Sequence, residues 1–122
     1  MGRSILNDEI MAKRSALLSL EDILKSIELL ERYTSSISFD EFDVNFEKQD
    51  AVVRRIGIIG EATKNLPDTM REQYSEVQWK SSTGLLDDYF GLRMSEIWQV
   101  ATVELPSLKP KIQQIIADLE HK

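Results

Sequence analysis

Apolar residues recur at intervals of three and four along the first part of the chain, which is the spacing of one face of an α-helix. Within residues 5–35 this stripe contains Leu17, Leu20, Leu24, Ile27 and Leu30, and charged residues fill the opposite side. No segment of convincing length alternates apolar and polar residues as a half-buried β-strand does. The pattern therefore predicts an all-α fold.

The same spacing predicts a second long helix over about residues 47–66. Its inner face is predicted to contain Val52, Ile56, Ile59 and Thr63. Gly57 and Gly60 lie three positions apart in this helix, where each costs about 1 kcal/mol relative to alanine. The glycines resemble a phosphate-binding loop only superficially, because the preceding strand and the following Lys-Ser/Thr pair are absent. They predict instead that another helix approaches closely.

Local signals predict the shorter helices. Ser38 and Glu41 have the spacing of a capping box before a helix near residues 39–42, and Pro67 suits the first turn of a helix that ends near Tyr74. Ser95 is a suitable N-cap for a further helix. The last helix is predicted to begin around Pro106, with the apolar stripe Leu108, Ile112, Ile115 and Leu119. Together these elements predict an antiparallel bundle of about five helices.

The length of 122 residues suits one domain with a single core, and 42% hydrophobic and 30% charged residues are typical of a globular protein. We expect a single domain over residues 14–119, an N-terminal extension or helix start over 1–13, and a C-terminal tail over 120–122. No apolar run approaches the ~18–20 residues of a membrane span, and no signal peptide opens the chain. We therefore expect a cytoplasmic protein that does not contact the membrane.

Composition also limits the chemistry. Cysteine is absent, and the only histidine, His121, is the penultimate residue. Thiolate and histidine metal sites are thus excluded from the body of the domain, and histidine acid–base catalysis is disfavoured there. We predict no metal and no cofactor. The formal net charge of −6 gives no broad basic surface for nucleic acid, although local patches can still exist.

The charged clusters have ordinary structural interpretations. The acidic pair Asp87 and Asp88 and the cluster Asp40, Glu41 and Asp43 are interpreted as solvated surface charge. Adjacent carboxylates on a helix point about 100° apart and do not easily share one metal. Arg54 and Arg55 could meet a phosphate, but a solvated helix face or an interface salt bridge is the commoner role. Aromatic residues in the second half are more typical of a core than of a stacking platform: Trp79, Tyr89, Phe90 and Trp98.

Several stretches resemble one known family. Residues 49–67, QDAVVRRIGIIGEATKNLP, resemble the helix QDAVIRRLEIIGEAAKRLP of the HepT-like branch of the HEPN family. Shorter matches occur in the same order along the chain, at residues 20–28, 32–34, 70–74, 77–80, 89–91, 97–98 and 105–108. The resemblance covers about residues 14–119.

The resemblance implies an all-α bundle that forms a homodimer and a metal-independent endoribonuclease that cleaves RNA, either tRNA or mRNA. Proteins of this branch are the toxin partners of minimal nucleotidyltransferase antitoxins. In the family, an arginine and a histidine separated by four to six residues on one helix meet their copies across the dimer cleft. There the histidine can act as general acid or base while the arginine holds phosphate.

This sequence departs from the family at that motif. The family reads WRxIAGMRNxLxHxYF, in which the tyrosine lies nine positions after the glycine, whereas Tyr89 lies only five positions after Gly84. Four residues are missing, and neither the arginine nor the histidine has a counterpart. Asp87 stands in the histidine's place if the gap lies upstream, and aspartate cannot supply the near-neutral proton exchange of imidazole. We therefore predict that this chain has no catalytic residue.

Two matched positions remain as candidate site residues. Tyr89 matches the tyrosine whose hydroxyl receives AMP from the antitoxin in the family, and Glu61 lies in the Gly-Glu-Ala match near the family's cleft. Either residue could instead be structural, Tyr89 as part of the core.

The sequence supports three hypotheses. The first is a HepT-like toxin that has lost its ribonuclease motif but still dimerises and binds its nucleotidyltransferase antitoxin. The alternative is a non-enzymatic helical module for dimerisation or regulatory binding. The weakest is an intact enzyme that uses aspartate or glutamate in place of histidine. A small nucleotidyltransferase encoded by the neighbouring gene would favour the first.

Overall fold

The computed structural model describes residues 5–77, 79 and 93–121. The first half of the chain forms four helices. Helix α1 spans Ile5–Thr34, α2 spans Phe39–Val44, α3 spans Phe46–Lys64 and α4 spans Asp68–Gln73. The two predicted long helices are therefore confirmed to within a few residues at their ends.

The second half of the described chain is one almost continuous helical run. Helix α5 spans Met94–Gln99 and continues through a π-helical turn, Val100–Glu104, and a 3₁₀ turn, Pro106–Leu108. Helix α6, Lys109–Glu120, ends the fold. No strand occurs within the described ranges. The fold is the all-α antiparallel helical bundle that the sequence predicts.

Helix α1 is the centre of the bundle. It packs most extensively against α3, then against α6, and also contacts the π-helical and 3₁₀ turns. The aliphatic side chains that share its core are fully buried: Leu20, Ile23, Ile27, Leu30, Val52, Ile59, Ile97, Leu105, Ile112 and Ile115. Burial of this apolar surface is the main favourable contribution to folding.

The buried face of α1 is rotated slightly from the predicted stripe. Leu20, Ile27 and Leu30 are buried as expected, but Leu17 and Leu24 lie at the margin and are only half-buried. Ile23 and Ser26 are buried instead. The reason is that α3 covers α1 on one side and the C-terminal helical run covers it on another. The buried face of α1 is therefore centred on different residues from the predicted stripe.

Helices α2 and α3 each begin with a side-chain N-cap. Ser38 and Glu41 form the predicted capping box: Ser38 Oγ accepts the Glu41 N–H at 3.2 Å, and Glu41 Oε1 accepts the Ser38 N–H at 3.3 Å. Asn45 ends α2 and caps α3, where its Oδ1 accepts the Lys48 N–H at 3.0 Å. The caps satisfy backbone donors that the first helical turn leaves without partners.

The two glycines of α3 have different environments. Gly60 is buried, whereas Gly57 is partly exposed. No residue in the described ranges has a positive φ, so neither glycine is needed for backbone conformation. The lack of a side chain matters at Gly60, on the face that packs against α1 and carries Val52, Ile56, Ile59 and Thr63.

Two predicted helix starts need correction. Ser95 is not an N-cap; it is an exposed residue within α5, and Arg93 is the N-cap. The chain changes from extended to helical after Arg93, whose carbonyl accepts the N–H groups of Glu96 and Ile97. The last helix also begins differently: Pro106 opens a 3₁₀ turn, and α-helical geometry starts only at Lys109. None of the described helices is long and apolar enough to cross a membrane.

Candidate functional site

Helix α3 presents the charged candidate residues on its outer side. Its buried face packs against α1, and Arg54 and Glu61 are exposed on the other face. Seven residues advance a helix by about 10 Å and return nearly to the same direction, so these two side chains lie on one face. Arg55 is only half-buried. The structure therefore brings Arg54 and Glu61 to one accessible surface.

The candidate acceptor Tyr89 lies outside the described residues, as do Gly84, Asp87 and Asp88. Its assignment as the site of AMP transfer stays a prediction from the family match. The structure does describe the residues that flank this part of the sequence. On the N-terminal side Trp79 is buried, and on the C-terminal side Ile97 is buried.

Trp79 is buried, and its ring nitrogen also makes two hydrogen bonds. Nε1 donates to the carbonyl oxygens of Arg71, at 3.2 Å, and Tyr74, at 3.1 Å. A buried indole N–H without an acceptor would destabilise the fold, and here two backbone carbonyls near the end of α4 accept its hydrogen bond. Trp79 is thus a core residue, as the sequence favours.

Trp98 of α5 lies in a small aromatic cluster with α2. Its ring is 5.0 Å from the ring of Phe42 and 6.1 Å from that of Phe39, measured between centroids. Phe42 is fully buried, and Phe39 and Trp98 pack against the core while remaining partly exposed. The packing interpretation of the aromatic residues is confirmed for Trp79 and Trp98, while Tyr89 and Phe90 lie outside the described residues.

The turn after α4 is joined to the last helix by a polar contact. Tyr74 OH donates to Asp118 Oδ2 at 2.8 Å. Burial raises the pKa of the Tyr74 hydroxyl above its ordinary value of 10.0. The hydrogen bond to Asp118 and the negative charges of Asp118 and Glu76 raise this pKa further. Tyr74 is therefore a protonated donor at neutral pH.

A second polar contact joins α6 to α1. Lys109 Nζ donates to Glu31 Oε1 at 2.9 Å and lies 3.9 Å from Glu28 Oε2. The hydrogen bond to Glu31 raises the pKa of Lys109 above its ordinary value of 10.5, and burial opposes this effect. The pair lies at the edge of the bundle and fixes the start of α6 against α1.

The described side chains allow only limited chemistry. No group of three or more His, Cys, Asp or Glu residues within the described ranges could hold a metal ion. Arg54 could bind a phosphate oxygen from solvent, since a guanidinium binds phosphate well. Arg71 contacts Asp68, and its buried Nε has no hydrogen-bond partner. The described surface thus offers exposed charged groups and a few polar pairs that join helices, such as Lys109 with Glu31 and Tyr74 with Asp118.

Sequence reasoning missed the contact between Tyr74 and Asp118. In the sequence, Tyr74 is only the end of a short helix and part of a family match, and Asp118 has no assigned role. No local pattern relates positions that are 44 residues apart. The contact depends on the angle at which α6 returns across the bundle, which a single sequence does not encode locally.

Comparison with known proteins agrees with this architecture. The family model for HepT-like ribonucleases matches residues 23–115. A candidate ribonuclease HepT of Thermococcus cleftensis is 36% identical over 107 residues, which cover 84% of this chain and 97% of that protein. A candidate RNase of Methanocaldococcus jannaschii is 34% identical over 116 residues, which cover 92% of this chain and all of that protein.

A longer relative contains the same unit. A protein of Methanocaldococcus jannaschii named for a gamma-glutamylcyclotransferase and a candidate RNase is 40% identical over 112 residues. The match covers 88% of this chain but only 50% of that protein, so this chain corresponds to about half of it. No solved structure matches the chain significantly.

The fold and the matched residues together define an all-α protein of a ribonuclease class. The chain belongs to the HepT-like ribonuclease family. RNA is accordingly the substrate class that the family indicates.

Proposed function

We propose that this chain is a catalytically inactive HepT-like protein. One observation carries the proposal: the segment between Gly84 and Tyr89 is four residues shorter than the family motif and contains neither the arginine nor the histidine. No histidine occurs before His121, so no other imidazole in the body of the domain could take over proton transfer.

The size of the gap explains how the fold could survive it. Removing four residues from a helix rotates the downstream residues by about 400°, which is 40° beyond a full turn, and shortens the helix by about 6 Å. On a continuous helix, residues after such a gap would therefore stay close to their original phase. Ile97, Leu105 and Ile112 remain in the core after this point, consistent with a bundle that tolerates the loss.

The remaining activity in this proposal is binding. The chain forms a homodimer, as its family does, and binds a cognate minimal nucleotidyltransferase that acts as the antitoxin. In an active relative, transfer of AMP to the tyrosine matched by Tyr89 would neutralise the ribonuclease. Glu61 is a candidate cleft residue through the family match alone, and its exposure on the outer face of α3 leaves it accessible to a partner.

The test is a comparison of RNA cleavage by the natural chain and by a repaired chain. The repaired chain has the family's Met-Arg-Asn-Ile inserted after Gly84 and the substitution Asp87→His. Purified natural protein incubated with tRNA and with total RNA should give no fragments, while the repaired chain should cleave. The matched control has the same insertion without Asp87→His, so it restores helix length but not the imidazole.

Cleavage by the natural chain that persists through stringent purification would refute the proposal. Sedimentation at micromolar concentration tests the homodimer, and a monomer would contradict the family geometry. Failure of the chain to bind a nucleotidyltransferase encoded beside it would favour the alternative, a helical module that dimerises or regulates without an antitoxin.

A further inference from the structure

Two large apolar side chains are exposed where α2 meets α3. Val44, the last residue of α2, is 76% exposed, and Phe46, the first residue of α3, is 75% exposed. They are the most exposed large apolar residues of the described chain, and we call them the junction patch. Their Cα atoms lie no more than about 7 Å apart because two residues of chain cannot span more.

The junction patch is held on a rigid support. Gln49 Nε2 donates to the carbonyl oxygens of Phe42, at 3.0 Å, and Asp43, at 3.1 Å. The Asn45 N–H donates to the Phe42 carbonyl at 3.2 Å, and Asn45 also caps α3. Phe42 itself is buried against Trp98. The exposure of Val44 and Phe46 is therefore a property of a well-anchored turn and not of a frayed helix end.

Exposed carboxylates lie close to the junction patch along the chain. Asp40 lies one helical turn before Val44, so it is the neighbour of Val44 on the surface of α2. Asp50 lies one turn after Phe46, so it is the neighbour of Phe46 on the surface of α3. Two more acidic residues, Asp43 and Glu47, adjoin the patch in sequence, and all four are exposed.

The only basic residue among positions 40–50 is Lys48. Its Nζ lies 5.5 Å from the centroid of the Tyr33 ring on α1, which makes it part of the contact between α3 and α1. The rim of the junction patch is thus strongly negative.

The charge determines which occupant this surface suits. RNA is repelled by clustered carboxylates, because nucleic-acid binding depends on cationic side chains near phosphates. A second copy of the same surface would place like charges opposite each other, which is unfavourable. A protein surface with a small apolar pocket and a lysine- or arginine-rich rim would complement both features.

We propose that the junction patch is a docking site for a basic segment of a partner protein, with Phe46 and Val44 as apolar anchors and Asp40 and Asp50 as charge partners. The proposal rests on the exposure of Val44 and Phe46 and on the carboxylates near them, so it does not depend on whether the chain cleaves RNA. Aromatic anchors of this kind often contribute most of the affinity of an interface.

The experiment uses a fluorescein-labelled amphipathic Leu/Lys peptide and its Leu/Glu counterpart, titrated with the full chain while anisotropy is measured. The Leu/Lys peptide should bind and the Leu/Glu peptide should not. The double variant Val44→Ser with Phe46→Ser should raise the Kd for the Leu/Lys peptide by about tenfold or more. The matched control, Leu18→Ser with Val103→Ser, removes apolar residues that are 59% and 52% exposed elsewhere and should leave the Kd unchanged.

Two further readouts locate the site. The double variant Asp40→Asn with Asp50→Asn should weaken binding and reduce its dependence on salt concentration. Chemical-shift changes in the bound protein should be confined to residues near the α2–α3 junction. Absence of peptide binding, equal loss in the matched control, or shift changes spread over other helices would overturn the proposal. Equal binding of RNA or self-association through the junction patch would also overturn it.

Discussion

The Tyr74 hydroxyl donates a hydrogen bond to Asp118 Oδ2 at 2.8 Å, and Gln114 Nε2 donates to the other oxygen of the same carboxylate at 2.8 Å. The carboxylate therefore receives a donor on each oxygen. The Tyr74 carbonyl also accepts a hydrogen bond from Trp79 Nε1. One residue thus links the turn after α4 to the last helix and to the buried tryptophan that precedes residues 80–92.

We expect Tyr74→Phe to lower the free energy of unfolding by about 1 kcal/mol, because it removes one partly buried hydrogen bond while keeping the ring. Urea denaturation at neutral pH measures the change. Tyr33→Phe is the matched control, since the Tyr33 ring and not its hydroxyl faces Lys48. Equal effects of the two substitutions would mean that the bond to Asp118 adds nothing specific.

The same bond predicts an alkaline loss of stability. Because the pKa of Tyr74 is raised in the folded state, the unfolded chain releases this proton at lower pH than the folded chain does. The contribution is therefore complete below about pH 10 and is lost as pH rises through the folded-state pKa. Urea denaturation of the natural chain and Tyr74→Phe from about pH 8 to about pH 11 should show their difference shrinking with pH.

Lys109 has a raised pKa and contributes with the same sign, so it must be separated from Tyr74. Lys109→Met removes that second contribution. The variant should retain the alkaline decline that belongs to Tyr74. A decline that disappears completely in Lys109→Met would assign the effect to the ion pair with Glu31.

The phenylalanines on the two sides of Asn45 should differ sharply in their effects on stability. Phe42 is fully buried against Trp98, whereas Phe46 is largely exposed. We expect Phe42→Ala to lower the free energy of unfolding by about 3–5 kcal/mol, the usual cost of emptying a buried aromatic site. Phe46→Ala should change it by less than about 0.5 kcal/mol. Thermal denaturation, monitored by circular dichroism, measures both variants. Comparable losses of stability in the two variants would contradict this prediction.

The two glycines of α3 provide another matched pair. Gly60 is buried on the side that packs against α1, and Gly57 is partly exposed. Gly60→Leu should therefore destabilise the fold by about 1–3 kcal/mol or more, because the core has no room for the added side chain. Gly57→Leu should be tolerated, since leucine also improves helix propensity by about 1 kcal/mol. Equal tolerance in urea denaturation would show that α1 does not approach closely at Gly60.

Elements with strong local signals could be predicted from the sequence. The capping box at Ser38 and the apolar stripe of α3 correspond to observed structure, because each signal and the structure that it specifies involve the same residues. The stripe of α1 predicts the helix itself and only part of its buried face. Ser95 misled because serine is also tolerated at an exposed position in a first turn, and the backbone had already become helical after Arg93.

Features that depend on packing between distant helices could not be predicted. The extent to which Ile23 and Ser26 are buried depends on how many helices cover α1. The π-helical turn, in which the Leu105 N–H reaches the Val100 carbonyl at 2.9 Å, has no sequence signature of its own. For the candidate site, the exposure of Arg54 and Glu61 follows from the period of α3, whereas the assignment of Tyr89 depends on the family match alone.

Transfer of AMP to Tyr89 is the final prediction. In this reaction the phenolic oxygen attacks the α-phosphorus of ATP, pyrophosphate leaves, and the phenol proton passes to solvent. We expect a cognate nucleotidyltransferase with ATP and Mg²⁺ to add AMP units to the natural chain and not to Tyr89→Phe. Intact-mass spectrometry measures the addition.

Two features of the sequence act against this transfer, and their magnitudes differ. Asp87 and Asp88 place negative charge beside the acceptor in the sequence. Repulsion between charges in water is only about 1 kcal/mol at close range, so it should slow the reaction without preventing it. On a continuous helix a four-residue gap would shift the phase of the acceptor by about 40° relative to the family motif, and in-line attack tolerates little misplacement. The chain carrying the four-residue insertion after Gly84 should therefore be modified faster than the natural chain. Equal rates of AMP addition to the two chains would show that the phase error does not matter. If the inserted chain is modified and the natural chain is not, the gap has destroyed the acceptor geometry.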